Sequence, residues 1–289
     1  MTDNKQPYLV LISGPNGAGK TTFYNHIIKG SVLFRDAVFI NFNYSIRENA
    51  LFQDAVFINQ DIKFANIASR PTNVQRLQNI KYDISAKQKE IAEKLTLLNK
   101  EKTEKELEEL LHQQKLIEFS LQQEAGIQTV SEINYSLEHG KNFIYETTGS
   151  GHFPQRLLKR AKNEYGYKIY SIHPYVYRPE LSVARVQRRV QMGGHDVPAD
   201  TIIRRYQNSL NNLPTILSLV DFGIVLDNSY NVPYRPIFMV YDGCVVNISK
   251  CPEYLKSAHD ETTKQFNEKS IQAVELNVLQ SVIINALQK

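Results

Sequence analysis

The sequence of 289 residues contains 34 basic and 30 acidic side chains, which give a mild net charge of +4. With 42% hydrophobic and 22% charged residues, the composition is that of a globular protein with a core, and it excludes a largely disordered chain. Because a nucleic-acid binder more often shows a concentrated basic stripe, the mild charge predicts no nucleic-acid partner.

The N-terminal residues lack the basic segment of a signal peptide, and their apolar run is short. The sequence contains no run of roughly 20 apolar residues, the length that crosses a bilayer. The two cysteines, Cys244 and Cys251, are too few for a disulfide framework. We therefore predict a cytoplasmic protein without a membrane contact, although export without a cleaved signal would leave no trace in the sequence.

The first predicted elements are a strand at Tyr8–Ser13 and a helix at Lys20–Lys29, joined by a glycine-rich loop. The loop sequence GPNGAGKT fits the pattern of glycine, four residues, glycine, lysine and serine or threonine. Such a loop surrounds phosphate oxygens with backbone amides and with the positive end of a helix. This pattern predicts a site for ATP or GTP with Mg²⁺.

Two side chains of this loop have predicted roles of their own. Lys20 is expected to reach the β- and γ-phosphate oxygens as a positive charge, and the Thr21 hydroxyl is expected to complete the Mg²⁺ shell. The predicted nucleotide-binding residues are Gly14, Pro15, Asn16, Gly17, Ala18, Gly19, Lys20, Thr21 and Thr22.

A duplicated segment follows, since LFRDAVFIN at Leu33–Asn41 recurs as LFQDAVFIN at Leu51–Asn59. Two copies do not make a repeat array, because stacked repeats need at least about three units. Only the second copy continues into Gln60 and Asp61. We therefore predict that the second copy forms a core strand and that the first lies in a loop or an extra edge strand.

Asp61 follows this predicted strand directly. The carboxyl ends of parallel strands open onto the ligand crevice, so a carboxylate there is well placed to contact a substrate hydroxyl. We predict that Asp61 is the general base and contacts the substrate. Its alternative role is that of an N-cap for the following helix.

A long stretch rich in Lys, Glu, Gln and Leu predicts a helical, coiled-coil-like insertion at residues 73–123. The series of apolar residues at helical spacing is interrupted at Asn99–Glu106. This interruption favours a helical hairpin that turns there over one long bent helix. The predicted kinase domain then comprises residues 1–72 and 124–254, and residues 255–289 form a C-terminal helical tail. The insertion is either a partner-binding coiled coil or a solvated hairpin packed on itself.

After Gly140, strands and helices alternate, which predicts a mainly parallel, doubly wound sheet of the P-loop NTPase type. The predicted strands are 142–147, 168–177 and 222–226, and the predicted helices are 153–165, 179–191 and 201–217. An antiparallel hairpin at 234–248 turning at Asp242 and Gly243, and an amphipathic helix at 270–287, complete the predicted elements.

Further candidate residues follow the strand at 142–147. Glu146 ends this strand, where it would hold Mg²⁺ through water or bind a substrate hydroxyl, and it is otherwise a surface acid. Thr148 is a short hydroxyl donor suited to a phosphate or a sugar.

Arginines flank the loop Met192–Pro198, which contains two consecutive glycines. This arrangement predicts an Arg-rich lid that offsets the negative charge of phosphoryl transfer, with a solvated basic face as the alternative. His195 in the loop is expected to fix the loop by a hydrogen bond. The arginines on either side are Arg185, Arg188, Arg189, Arg204 and Arg205.

Asn16 also makes the loop similar to that of ABC-type ATPases. That class needs an LSGG-type motif opening a helix and an apolar strand ending in Asp-Glu, and the sequence contains neither. The nearest candidate strand ends in Glu-Thr-Thr, so the ABC class is disfavoured.

Taken together, the motifs resemble the zeta-toxin family of P-loop kinases, over roughly Leu9–Ser229 with the insertion excluded. The segments that carry the resemblance are GPNGAGKTT, FINQD, NFIYETT, GYKIYSIHPYVYRPELSVARVQRRV, GGHDVPADTIIRRY and DNS. The resemblance implies transfer of phosphate from ATP or GTP to the 3′-hydroxyl of UDP-N-acetylglucosamine. It also implies a possible antitoxin protein that blocks the nucleotide site.

The resemblance implies roles residue by residue: Lys20 and Thr21 for phosphate and Mg²⁺, Asp61 as base, and Glu146 and Thr148 for substrate. Arg189 is implied as the first catalytic arginine. The family carries a second arginine before Thr-Pro, and here this place is taken by His195-Asp196-Val197-Pro198. Arg204 or Arg205 is expected to supply that charge.

Two other functions fit the sequence. The first is a kinase of the same build that acts on another nucleotide or on an antibiotic. The second is a nucleotide-gated binding module, in which the helical insertion engages a partner and turnover is incidental.

Overall fold

The computed structural model of the protein describes residues 6–25, 56–93, 97–192, 196–230, 234–241 and 243–266. The chain divides into two compact units, one comprising Met1–Ile58 and Tyr135–Lys289 and the other Asn59–Asn134. The insertion predicted at residues 73–123 lies inside the second unit.

The described residues of the first unit form a seven-stranded sheet in the order β2-β3-β1-β4-β5-β6-β7. The strand pairs β1–β3, β1–β4 and β4–β5 are parallel, whereas β5–β6 and β6–β7 are antiparallel. The strands are β1 Tyr8–Ser13, β2 Val56–Asn59, β3 Phe143–Thr147, β4 Lys168–Tyr175, β5 Phe222–Asp227, β6 Arg235–Tyr241 and β7 Cys244–Asn247. The predicted fold class, a mainly parallel α/β sheet with an antiparallel hairpin, is confirmed.

The parallel strands are apolar on both faces because helices cover both sides of the sheet. All six residues of β1 are buried, and Val10, Ile12, Ile144 and Ile172 contribute to one core cluster on a single face. Parallel pairing brings the carboxyl ends of these strands to one edge, where Ser13 is paired with Thr147. The loops that follow the strands therefore meet at that edge.

Some helices of the described residues connect these strands, and others form the second unit. In chain order they are α1 Lys20–Phe23, α2 Gln60–Ala68, α3 Pro71–Glu93, α4 Leu97–Glu138, α5 Phe153–Tyr165, α6 Pro179–Gln191, α7 Ala199–Leu217 and α8 Glu253–Gln265. Proline near the first residue of α5 and of α6 sets a helical φ where no intrahelical N–H bond is needed. None of the described helices is long and apolar enough to span a membrane.

The second unit contains an antiparallel pair formed by α3 and α4. Ile67 of α2 is buried with Leu121 and Ala125 of α4. Lys87 of α3 forms an ion pair with Glu106 of α4. A helical hairpin is therefore present.

Residues Asn99–Glu106 lie within the helix α4, Leu97–Glu138, so the prediction of a turn there is wrong. The charged run that suggested the turn lies inside α4. Lys and Glu are good helix formers, so a lapse in the apolar stripe did not mark the end of a helix.

Several predictions concern residues outside the described part of the chain. The first copy of the duplicated segment and the predicted helix at 270–287 lie there, as do residues 26–29 of the predicted first helix. Of the second copy, Val56–Asn59 forms the strand β2, as predicted, but β2 stands at one end of the sheet formed by the described residues and not inside it. The helix α8 lies largely within residues 255–289, the predicted C-terminal helical tail.

His173 of β4 is completely buried, and burial lowers the pKa of its imidazole from 6.5 to about 3. The unfolded chain therefore binds one more proton at this site between pH 6.5 and pH 3. The free energy of unfolding is expected to fall by about 1.4 kcal/mol for each pH unit lost in this window.

Urea unfolding at pH 7 and at pH 5 measures this effect. Replacement His173→Leu should reduce the pH dependence, whereas replacement of the exposed His139 by glutamine should leave it unchanged. An equal pH dependence in the unmodified protein and in His173→Leu would contradict the assignment.

Candidate functional site

The glycine-rich loop lies between β1 and α1, at the edge where the parallel strands end. Gly17 and Gly19 have φ angles of 71° and 93°, which other residues rarely adopt. A Cβ atom added to Gly19 would lie 2.5 Å from Nδ2 of Asn228 and 2.8 Å from the hydroxyl of Tyr234. Glycine is therefore required at this position both by conformation and by space.

Lys20 begins α1 and is largely buried, with 8% of its surface exposed. Its Nζ donates a hydrogen bond to the carbonyl oxygen of Pro15 over 3.0 Å. The ammonium group thus lies over its own loop, where a phosphate bound by the loop would also lie. The role of Lys20 toward a phosphate stays a prediction.

Thr21 and Glu146 lie in contact at the mouth of the loop. The Thr21 hydroxyl is 2.9 Å and 3.0 Å from the two carboxylate oxygens of Glu146. Glu146 is 8% exposed and stands beside Ile12 in the register between β3 and β1. The alternative of an exposed surface acid at this position is therefore excluded.

These oxygens fit a Mg²⁺ ion, which is bound in proteins by one or two carboxylates together with phosphate oxygens and water. Among the described residues there is no group of three or more His, Cys, Asp and Glu side chains that would form an all-protein metal site. The donor set of Thr21 and Glu146 therefore suits an ion that arrives with a nucleotide.

Three further residues contact the loop, of which Arg185 was predicted as a lid arginine and the other two were not assigned to the site. Arg185 of α6 donates to the carbonyl oxygen of Gly17 over 3.3 Å. Asn228 donates to the carbonyl of Ala18 over 2.9 Å, and Tyr234 donates to that of Gly19 over 2.8 Å. For Asn228 the sequence also offered a signal, since this residue belongs to the DNS segment that carries the family resemblance.

The predicted lid arginines lie on two helices that pack against each other. Val186 of α6 forms a buried cluster with Val197 and Ile202 at the start of α7. Arg189 on α6 is partly buried, whereas on α7 Arg204 is exposed and Arg205 is partly buried. Residues 193–195, with His195, lie outside the described part of the chain, so the roles of the lid and of His195 stay predictions.

Asp61 is the second residue of α2, directly after β2. In the sheet, β2 is the neighbour of β3, which carries Glu146. The side chain of Asp61 lies outside the described residues, so its role as base stays a prediction. Thr148 lies after β3 with its hydroxyl 2.9 Å from that of Ser150, and its role in substrate binding also stays a prediction.

Comparisons with known proteins give few relatives by sequence. No protein-family model matches the chain. An uncharacterized protein of Haemophilus influenzae is 29% identical over 83 residues, which are 29% of this chain and 59% of that protein. The match thus spans less than two thirds of that relative.

Comparison of structures shows the fold. The AvrRxo1-ORF1:AvrRxo1-ORF2 structure with ATP is similar with a TM-score of 0.50 and 12% identity, over 99% of this chain and 77% of that chain. A structure from the PezAT toxin–antitoxin system of Streptococcus pneumoniae is similar with a TM-score of 0.48 and 17% identity, over 99% and 89%.

The fold is a P-loop α/β fold. The loop stands between β1 and α1, as the motif requires, and the chain shares its architecture with a structure that contains ATP. The fold expected from the sequence motifs is therefore confirmed, whereas the zeta-toxin resemblance itself rests on those motifs.

Proposed function

We propose that the protein is a small-molecule kinase that transfers the γ-phosphate of ATP or GTP to a hydroxyl group of a UDP-sugar such as UDP-N-acetylglucosamine. The observation that carries this proposal is the junction of Lys20, Thr21 and Glu146 at the glycine-rich loop. A phosphate-binding loop, a buried ammonium group and a buried carboxylate with a hydroxyl beside it are the parts that phosphoryl transfer requires.

In this proposal the loop amides and Lys20 bind the β- and γ-phosphates. The carbonyl of Pro15, which Lys20 contacts in the structure, gives way to phosphate oxygens, which bind an ammonium group more strongly because both partners are charged. Thr21 and Glu146 would hold Mg²⁺, which supplies positive charge beside the phosphate oxygens.

The acceptor hydroxyl loses its proton to the Asp61 carboxylate and attacks the γ-phosphorus. A new bond forms between the acceptor oxygen and phosphorus, while the bond to the oxygen that bridges the β- and γ-phosphates breaks and the nucleoside diphosphate leaves. Arg189, with Arg204 or Arg205, offsets the charge that spreads over the γ-oxygens. Thr148 contacts the acceptor.

An antitoxin protein is the partner that fits this proposal. The resemblance of the motifs to the zeta-toxin family implies it, and the structurally similar AvrRxo1-ORF1 was solved together with a second protein. Such a partner would act by blocking the nucleotide site.

Incubation with γ-labelled ATP or GTP and separate acceptors tests the proposed reaction. The acceptors are UDP-N-acetylglucosamine, a second UDP-sugar, a nucleoside monophosphate and an aminoglycoside antibiotic, with Lys20→Ala as the control protein. Label on a UDP-sugar supports the proposal, and label on another acceptor alone would support a kinase of different specificity. Nucleotide binding with no labelled product from any acceptor would favour the nucleotide-gated binding module.

A further inference from the structure

The glycine-rich loop is held from outside by residues that are distant in sequence, namely Asn228 and Tyr234 from the connection between β5 and β6 and Arg185 from α6. We refer to these three residues as the carbonyl clamp. We propose that the carbonyl clamp positions the loop amides for phosphate, so that its members are positioning residues for the nucleotide. This inference rests on the proposed nucleotide site, but not on phosphoryl transfer.

The geometry of the peptide group links the carbonyls of the loop to its amides. In a trans peptide the carbonyl and the N–H of the next residue point in opposite directions. The Ala18 carbonyl shares a peptide with the amide of Gly19, and the Gly19 carbonyl shares one with the amide of Lys20. When Asn228 and Tyr234 hold these two carbonyls, they also set the direction of the two amides.

Arg185 joins the parts of the clamp to one another. One guanidinium nitrogen donates to the Gly17 carbonyl, and the other donates to the backbone carbonyl of Asn228 over 2.9 Å. A single side chain of α6 therefore fixes both the loop and the residue that holds the loop. The guanidinium also places a positive charge beside the phosphate site, although partial burial lowers its pKa.

The two neighbours of Asn228 are themselves held by hydrogen bonds. Asp227 is 2% exposed and accepts hydrogen bonds from the backbone and hydroxyl of Ser229, and its other oxygen accepts one from Arg235 over 3.0 Å. The Ser229 hydroxyl in turn accepts a hydrogen bond from the backbone N–H of Tyr177 over 2.8 Å. Asn228 is thus held between two anchored neighbours and points at the loop.

Tyr234 occupies a backbone conformation that favours glycine, with a φ of 55°, and among the described residues it is the one non-glycine with a positive φ. Its ring packs edge to face on Phe23, with the ring centres 5.0 Å apart. Burial raises the pKa of its hydroxyl, which therefore remains a hydrogen-bond donor at neutral pH. Strained backbone at a residue whose hydroxyl meets the loop agrees with a functional constraint.

Replacement Tyr234→Phe removes the hydroxyl and leaves the ring. Isothermal titration with MgATP and with magnesium tripolyphosphate, which has no base or sugar, is expected to show both affinities falling by the same factor of about 3–10. Asn228→Ala should have a similar effect and serves as a second variant should Tyr234→Phe not fold.

The matched control is Tyr167→Phe, since Tyr167 is also buried and its hydroxyl donates to the carbonyls of Ser136 and Lys141. This control should lower the melting temperature at least as much as Tyr234→Phe and leave both affinities unchanged. Equal losses of affinity in the control would show that general destabilisation is the cause, and would overturn the proposal.

Other outcomes distinguish a failure of the carbonyl clamp from a failure of the nucleotide site or of the kinase proposal. Loss of ATP affinity with unchanged tripolyphosphate affinity would mean that Tyr234 contacts the base or sugar. Unchanged affinity for both ligands in both variants would contradict the proposal that the carbonyl clamp positions the loop amides. Absence of binding in the unmodified protein would overturn the nucleotide site and the clamp together. If the variants lose affinity as expected but no acceptor is ever phosphorylated, the clamp stands and the kinase proposal fails.

Discussion

Replacement of Lys20 by alanine is expected to abolish phosphoryl transfer and to weaken nucleotide binding. Lys20 is 8% exposed and its ammonium group lies over the glycine-rich loop, 3.0 Å from the Pro15 carbonyl. Loss of a single fixed group that stabilises charge in the transition state typically lowers kcat by about 10²–10³-fold. The measurement is the initial rate of labelled phosphate transfer, together with the Kd for MgATP by calorimetry.

A matched control for this experiment is Lys162→Ala. Lys162 is a more exposed lysine that forms an ion pair with Asp221 over 2.8 Å. Its removal takes away the same charge from the molecule and should leave transfer and binding unchanged. An unchanged rate of phosphate transfer in Lys20→Ala would show that the glycine-rich loop takes no part in the reaction.

Replacement of Asp61 by asparagine is expected to reduce the rate of transfer by about 10²–10⁴-fold while nucleotide affinity is largely kept. The physical reason is that asparagine retains the shape of the side chain but cannot accept the proton of the acceptor hydroxyl. The measurement is kcat with the accepted substrate, alongside the Kd for MgATP.

Asp200 offers a close control for the helical position of Asp61. Each is the second residue of its helix, α2 or α7, where a carboxylate stabilises the helix end by about 0.3–1 kcal/mol. Asp61→Asn and Asp200→Asn should therefore lose similar stability, and only the first should lose activity. If Asp61→Asn retains a near-normal rate, the residue serves to cap its helix instead of acting as base.

The loop and the elements around it could be predicted because their signals are local. The motif from Gly14 to Thr21 needs a strand before it and a helix after it, and both are present. The bounds of α5 and α6 follow from proline near the first helical residue and from apolar spacing, and the prediction of both helices is confirmed.

The carbonyl clamp could not be predicted in the same way. The hydrogen bonds from Asn228 to Ala18 and from Tyr234 to Gly19 join residues 210 and 215 positions apart. No periodicity or turn pattern reports such a contact, since it arises only when β4 and β5 place their following loops beside β1. For Arg185, the sequence showed a basic cluster but not that this member faces backbone carbonyls.

The hairpin shows a different limit of sequence reasoning. Its helical character followed from composition, but its turn did not, because the charged residues at 99–106 are as compatible with a helix as with a helix end. In the structure these residues lie inside α4, which begins at Leu97, and α3 ends at Glu93. The spacing of apolar residues alone therefore did not show where α3 ends and α4 begins.

Calorimetric titration of the unmodified protein with ATP and with GTP in the presence of Mg²⁺ tests the central claim most directly. The account predicts a measurable heat of association for at least one of the two nucleotides, and its loss or marked weakening in Lys20→Ala. Absence of any heat with both nucleotides, from a protein shown to be folded, would contradict the claim that this loop binds a nucleoside triphosphate.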